Sequence, residues 1–143
     1  MAMNTIPVFT KSPKIEFGTV IAANANTALD GTGTVTTVFT ANATEGSFVM
    51  NLKVKAGNTT ATSAAGVLRV WINNGSSNAV STNNTLIAEY VLSANTASAT
   101  ANTLNYDFPL NFMMPAGYKI NVTVSTMAAS SIWAFTCFGA DYS

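Results

Sequence analysis

The side chains able to do chemistry are few, and their spacing forms no catalytic pattern. The acids are Glu16, Asp30, Glu45, Glu89, Asp107 and Asp141, scattered one per segment, and the chain has no histidine. General acid–base work needs a histidine or a pair of carboxylates held in different environments. Cys137 is the only cysteine, so neither an intrachain disulfide nor a thiolate cage can form. It alternates with Trp133 and Phe135 in the apolar run Ile132 to Phe138. A buried, inert thiol fits that setting better than a nucleophile with no histidine to activate it. Asp30-Gly31-Thr32-Gly33-Thr34 has the look of a calcium loop but lacks the further oxygen ligands and the terminal Glu. It reads as a turn in which Gly supplies positive φ and Asp bonds its own backbone. Its two glycines lack the third of a dinucleotide fingerprint. No catalytic residue, cofactor or metal is expected.

Charge narrows the partners. Six basic and six acidic residues leave a net charge of zero, and only 8% of the chain is charged. No basic field exists to hold phosphates, so nucleic acid is not an expected partner. No run approaches the 18 or more apolar residues of a membrane span. The opening Met1-Ala2-Met3-Asn4-Thr5-Ile6-Pro7 has no basic segment or long apolar run of a secretory signal, so synthesis in the cytoplasm without secretion is expected. Asn-x-Ser/Thr occurs at Asn42, Asn58, Asn74, Asn83 and Asn121, about what chance gives in a chain this rich in Ser and Thr.

The elements that would position these residues are strands. Ala, Thr, Asn and Ser make up half of the 143 residues, while 48% of the chain is apolar and 10% aromatic; that apolar share argues against disorder. Runs rich in Val, Ile, Phe, Tyr and Thr, punctuated by Gly, Asn, Ser and Pro, predict eight strands. They cover 15–22, 35–40, 48–56, 67–73, 85–92, 105–110, 119–125 and 132–138. The run from Phe48 to Lys55 is the clearest, with Phe48, Met50, Leu52 and Val54 on one side and Asn51, Lys53 and Lys55 on the other. Eight short strands without helical periodicity predict an all-β chain, a single antiparallel β-sandwich of jelly-roll-like rather than immunoglobulin type. Residues 15–143 form that domain. Residues 1–14, with Pro7 and Pro13, form an extended N-terminal arm, because each proline turns its predecessor away from helix.

A two-layer sandwich buries one face of each strand, yet several strands are apolar on both. Ile132, Ala134 and Phe138 oppose Trp133, Phe135 and Cys137, and Leu68, Val70 and Ile72 oppose Val67, Arg69 and Trp71. The second faces need a loop, an arm or another subunit over them. Interface candidates are therefore Ile6, Val8 and Phe9 in the arm, and Trp71, Trp133 and Phe135 in strands. Phe112, Met113 and Met114 join them from the connection after the sixth strand, since Met side chains adapt to binding surfaces. Trp71, Trp133 and Tyr90 are also the candidates for stacking on a sugar ring. If strands alternate direction, the connections 23–34, 57–66 and 93–104 share one end, built almost wholly of small neutral residues.

Short stretches along nearly the whole chain carry a family likeness. They are Asn4-Thr5-Ile6-Pro7-Val8-Phe9 with Pro13-Lys14, Ala25 to Thr34, Trp71-Ile72-Asn73-Asn74-Gly75-Ser76, Leu86-Ile87-Ala88-Glu89, Leu110 followed by Met114 to Ile120, and Phe138-Gly139-Ala140-Asp141-Tyr142. In these the sequence resembles small virion structural proteins of tailed bacteriophages, either capsid decoration (cement) proteins or other head- or tail-associated parts. The resemblance implies a non-enzymatic protein, located in the virion after assembly in the host cytoplasm. Its partners would be copies of itself, a homotrimer foremost and an isologous dimer next, and the major capsid protein or another virion protein. The competing expectation is a tail- or fibre-associated module that binds host glycan through the neutral loop end.

Overall fold

The computed structural model describes residues 9–57, 62–96, 98, 100–127 and 131–142. Ten strands follow one another: β1 (Ser12–Ile21), β2 (Thr36–Thr40), β3 (Ser47–Ala56), β4 (Thr62–Ser63), β5 (Gly66–Asn73), β6 (Asn84–Leu92), β7 (Asn95–Thr96), β8 (Asn105–Met114), β9 (Lys119–Val124) and β10 (Ile132–Asp141). Two single-turn 3₁₀ segments, Ala22–Asn24 and Ser81–Asn83, are the only helical pieces among the described residues. The eight long strands fall on the eight runs read from the sequence. Runs rich in β-branched and aromatic residues favour sheet; β1, β8 and β10 alternate in burial, whereas β5 and β9 are buried on both faces over 68–71 and 120–124.

They form two antiparallel four-stranded sheets, ordered β1-β10-β3-β8 and β2-β9-β5-β6; β4 and β7 make a separate two-stranded ribbon. The last strand, β10, lies between the first and the third, pairing along β1 from Ser12↔Asp141 to Ile21↔Ile132. One buried cluster takes side chains from both sheets, giving a β-sandwich-like architecture. Val20, Leu52, Val54, Trp133, Phe135 and Cys137 come from the first sheet, and Phe39, Leu68, Val70, Ile120, Val122 and Val124 from the second. Tyr106 and Phe108 of β8 and Tyr90 of β6 extend it as a stack, with the Tyr90 and Phe108 ring centres 3.7 Å apart.

Three boundaries differ from the sequence reading. β1 begins at Ser12, so residues 12–14 belong to a sheet and not to an arm, with Lys11 N–H bonding Asp141 O at 2.8 Å. β8 runs on past Leu110 to Met114. Its irregularity, where Asn111 takes φ 52°, shifts the register and lets Phe112, Met113 and Met114 continue the strand beside Val49, Phe48 and Ser47. The third concerns the connections. Those at 57–66 and 93–104 do share an end, joined by Thr62↔Thr96 and Ser63↔Asn95. The 23–34 connection also starts at that end, where Asn26 N–H bonds the Val124 carbonyl, but it does not stay there: it reaches Asn78 and Asn84 near the far ends of β5 and β6.

That connection covers the part of the second sheet's outer face over Trp71. Asn26, only 8% exposed, holds it: its amide donates to Thr32 O at 2.8 Å and Thr34 O at 2.7 Å, and its Oδ1 accepts from Ala28 N–H at 2.8 Å. Gly31 lies against Trp71. At φ 75° a Cβ there would stand 2.7 Å from Asn84 Cβ and 3.0 Å from Trp71 Cε3, so both conformation and space require glycine. Trp71 is left 2% exposed, its indole N–H on Thr123 Oγ1 at 3.2 Å.

Candidate interaction surface

The structure brings two of the scattered acids together. Glu16 and Asp141 both face Lys14, whose Nζ lies 3.2 Å from Glu16 Oε1 and 3.7 Å from Asp141 Oδ1. Lys14 also donates to Thr40 O and stands 5.2 Å from the centre of the Phe39 ring, while Thr40 N–H donates to Glu16 Oε2 at 2.7 Å and the Ser47 hydroxyl to Asp141. Each carboxylate is already occupied by a cation and a neutral donor. The group ties the margins of the two sheets together and presents no free base.

Two further carboxylates are engaged in similar ways. Asp30 accepts from the Thr32 hydroxyl at 2.6 Å and its N–H at 3.1 Å, closing the turn read from the sequence; these bonds hold its carboxyl below the usual range. Asp107 is lowered likewise by the Asn51 amide at 2.7 Å, with Lys53 at 3.4 Å. Burial, and then the charge of Glu16, push the Cys137 thiol up to about 12. A thiol so placed stays protonated and is a poor nucleophile. Among the described residues no three His, Cys, Asp or Glu side chains are grouped to hold a metal ion, and no described helix is long and apolar enough to cross a membrane.

The nine interface candidates divide into three groups. Trp71, Met114, Trp133 and Phe135 are each at most 2% exposed and Phe112 packs against the core, so these five stabilise the chain's own interior rather than a contact. Trp71 looked like a second apolar face because no polar residue masks it in sequence; the 23–34 connection does so in space. Phe9 and Met113 stand in solvent at 71% and 73% exposure. Ile6 and Val8 lie outside the described residues. The sugar-stacking candidates are likewise unavailable, with both tryptophans in the interior and Tyr90 stacked on Phe108.

A surface the sequence reading did not assemble is the outer face of the first sheet. Along β1 the inward Glu16, Gly18 and Val20 alternate with outward Ile15, Phe17 and Ile21, of which Phe17 is 79% and Ile15 59% exposed. Their neighbours on β10 are Phe138 beside Ile15, Thr136 beside Phe17 and Ile132 beside Ile21, all half-buried. Met50 of β3 and Met113 of β8 extend the patch. A shallow groove of about 340 Å³ runs through it between Pro13, Ile15, Met50 and Phe138, with Lys53 and Lys14, whose ammonium is paired with Glu16 and Asp141, also in its wall. The face's charged groups, Lys53, Lys55 and Asp107, sit on β3 and β8, and the β1–β10 half carries none on this face. The signal was present in the alternation of Ile15, Phe17 and Ile21. It was hidden because an inward side of Glu, Gly and Val does not announce which face is the core. At the ribbon end lies a second hollow of about 450 Å³, lined by Lys55, Ser98, Ala101, Asn102, Thr103 and Asn105, with no aromatic side chain in its wall.

No protein-family model matches this chain, and no curated protein sequence matches it.

Proposed function

We propose that the chain is a non-enzymatic structural protein of a tailed-bacteriophage virion, a capsid decoration protein that binds the major capsid protein and stabilises the head. The observation that carries this reading is the uncovered apolar face of the first sheet. Large side chains such as Phe17 and Met113 stand in water there. A contiguous exposed apolar face marks a site of association, and nothing beside it is equipped for catalysis. The protein works in the virion, after assembly in the host cytoplasm.

Two further features support the reading. Numbering the eight long strands in order, the sheets run 1-8-3-6 and 2-7-4-5, which we interpret as a jelly roll, an architecture recurrent in viral capsid proteins. Phe9, ahead of β1, is exposed, in keeping with an arm there. A glycan-binding role on a tail or fibre would fall to the polar hollow at the ribbon end, which offers hydrogen-bonding groups without a stacking platform.

Imaging virions with the protein labelled, and counting its copies, tests the proposal. Copies distributed over the head, together with a lower DNA-release temperature in particles stripped of the protein, are expected. A handful of copies at the tail, or an unchanged release temperature, would overturn the cement role.

A further inference from the structure

We infer that the outer face of the β1-β10-β3-β8 sheet is covered by a second copy of the same chain, packed sheet on sheet about a two-fold axis. The inference deepens the structural-protein reading by naming the occupant of the face on which that reading rests, and it leaves the capsid contact to the remaining surface.

Size supports this occupant. Four strands about 4.8 Å apart and ten residues long, at about 3.4 Å each, outline about 650 Å² before side-chain relief is added. Stable protein complexes bury about 600–1,000 Å² per partner. One sheet face is therefore enough, and a small ligand or short peptide would leave most of it wet. Shape points the same way: the natural complement of a twisted sheet face is another twisted sheet of the same hand, about 10 Å away. Every copy of this chain brings one, in equal amount.

The pattern of polarity sets the arrangement. Apolar residues gather on β1 and β10, while Lys53 and Asp107 are paired at 3.4 Å on the β3–β8 half. A two-fold axis across the strands lays β1 on its mate and β10 on its mate, apolar on apolar. It sets each Lys53–Asp107 pair over the same pair of the other copy, like residue over like, so each charge keeps the partner it has within its own copy. Phe17, near the middle of the ten-residue β1, comes close to the axis. Such a contact is isologous and closes at two copies, where the phage resemblance favoured three.

Light scattering after size exclusion, with Phe17→Asp and Val91→Asp as the pair of variants, tests this directly. Val91 is 74% exposed on β6, on the other sheet. The wild type and Val91→Asp should have dimer mass, and Phe17→Asp should be a monomer with an unchanged circular-dichroism spectrum, its self-association weakened about 100-fold. Phe17→Cys adds a test that does not depend on disruption: mild oxidation should give a covalent dimer, since the buried Cys137 is shielded, and Val91→Cys should not. A monomeric wild type, a trimer mass, equal loss of association in Val91→Asp, or no crosslink in Phe17→Cys would overturn the inference. A monomer that still decorates heads would overturn it alone, and a dimer absent from virions would overturn the virion reading alone.

Discussion

Replacing Asn26 with alanine should loosen the cover over Trp71 while leaving both sheets intact. The substitution removes two amide donations, to Thr32 O and Thr34 O, and the acceptor for Ala28 N–H. The backbone bond from Asn26 N–H to Val124 O remains. Each lost bond costs about 1 kcal/mol when its partner is left poorly satisfied, so the total is about 3 kcal/mol. With about 2.1 cal/mol/K of unfolding entropy per residue, the 143-residue chain should lose about 10 °C in Tm. Asn26→Asp should do at least as much harm, since it turns the two donations into a carboxylate facing two carbonyl oxygens. The assay is thermal unfolding by circular dichroism, paired with acrylamide quenching of tryptophan emission. Trp71 and Trp133 are both buried, so the wild type should resist quenching, while in Asn26→Ala one of the two becomes accessible. A Tm within about 2 °C of wild type with unchanged quenching would refute the idea that Asn26 pins this connection.

Further outcomes follow from the interior. Gly139→Ala puts a Cβ 2.4 Å from Phe48 O and 2.9 Å from the Phe39 ring; overpacking against backbone should cost about 1–3 kcal/mol, measurable by urea titration. Gly31→Ala should destabilise too, and should raise quenching as Asn26→Ala does, because the added Cβ meets Asn84 and Trp71. Cys137 should resist a thiol reagent at pH 8 in the folded protein and react fully in denaturant. Its thiol is raised from 9.0 to about 12 on folding, so above pH 9 the unfolded chain ionises and the folded chain does not. Stability should then fall by about 1.4 kcal/mol per pH unit toward 12, and Cys137→Ser should remove that slope in an alkaline unfolding series.

The strands were legible because period-two alternation is a local property, but the bulge within Phe48 to Lys55 was not. Met50 falls between the pairs Phe138↔Asn51 and Gly139↔Val49, so Val49 joins Leu52 and Val54 in the core while Met50 stands 51% exposed, against the expectation that Phe48 and Met50 share the face of Leu52 and Val54. The cover over Trp71 was not legible either. The 23–34 connection holds its place through the amides of Asn26, Asn78 and Asn84 and two close-approaching glycines, none of which differs in letter from the Asn and Gly of an ordinary loop. The same limit hid the extension of β8, where an irregularity at Asn111 re-aims three residues that read as a connection after a proline. It also misplaced Trp71, Trp133 and Phe135, whose size is consistent with core or interface until pairing decides. The outer face of the first sheet was half legible. Ile15, Phe17 and Ile21 alternate visibly, but their union with Phe138, Met50 and Met113 exists only once β10 has been inserted between β1 and β3.

That insertion has a consequence for how the protein is made. β10, the last described strand in chain order, is an interior strand of its sheet, and its partner β1 lies more than a hundred residues earlier in the chain. Until β10 has been made, β1 and β3 have no hydrogen-bonding strand between them, and the core lacks Trp133, Phe135 and Cys137. Closing the first sheet therefore waits for β10 and closes a long loop, which places the fold among slow, high-contact-order topologies. Nascent chains spend that interval with apolar strand edges unpaired and open to one another. A chain cut before β10 would be not a weakened subunit but one unable to close its first sheet.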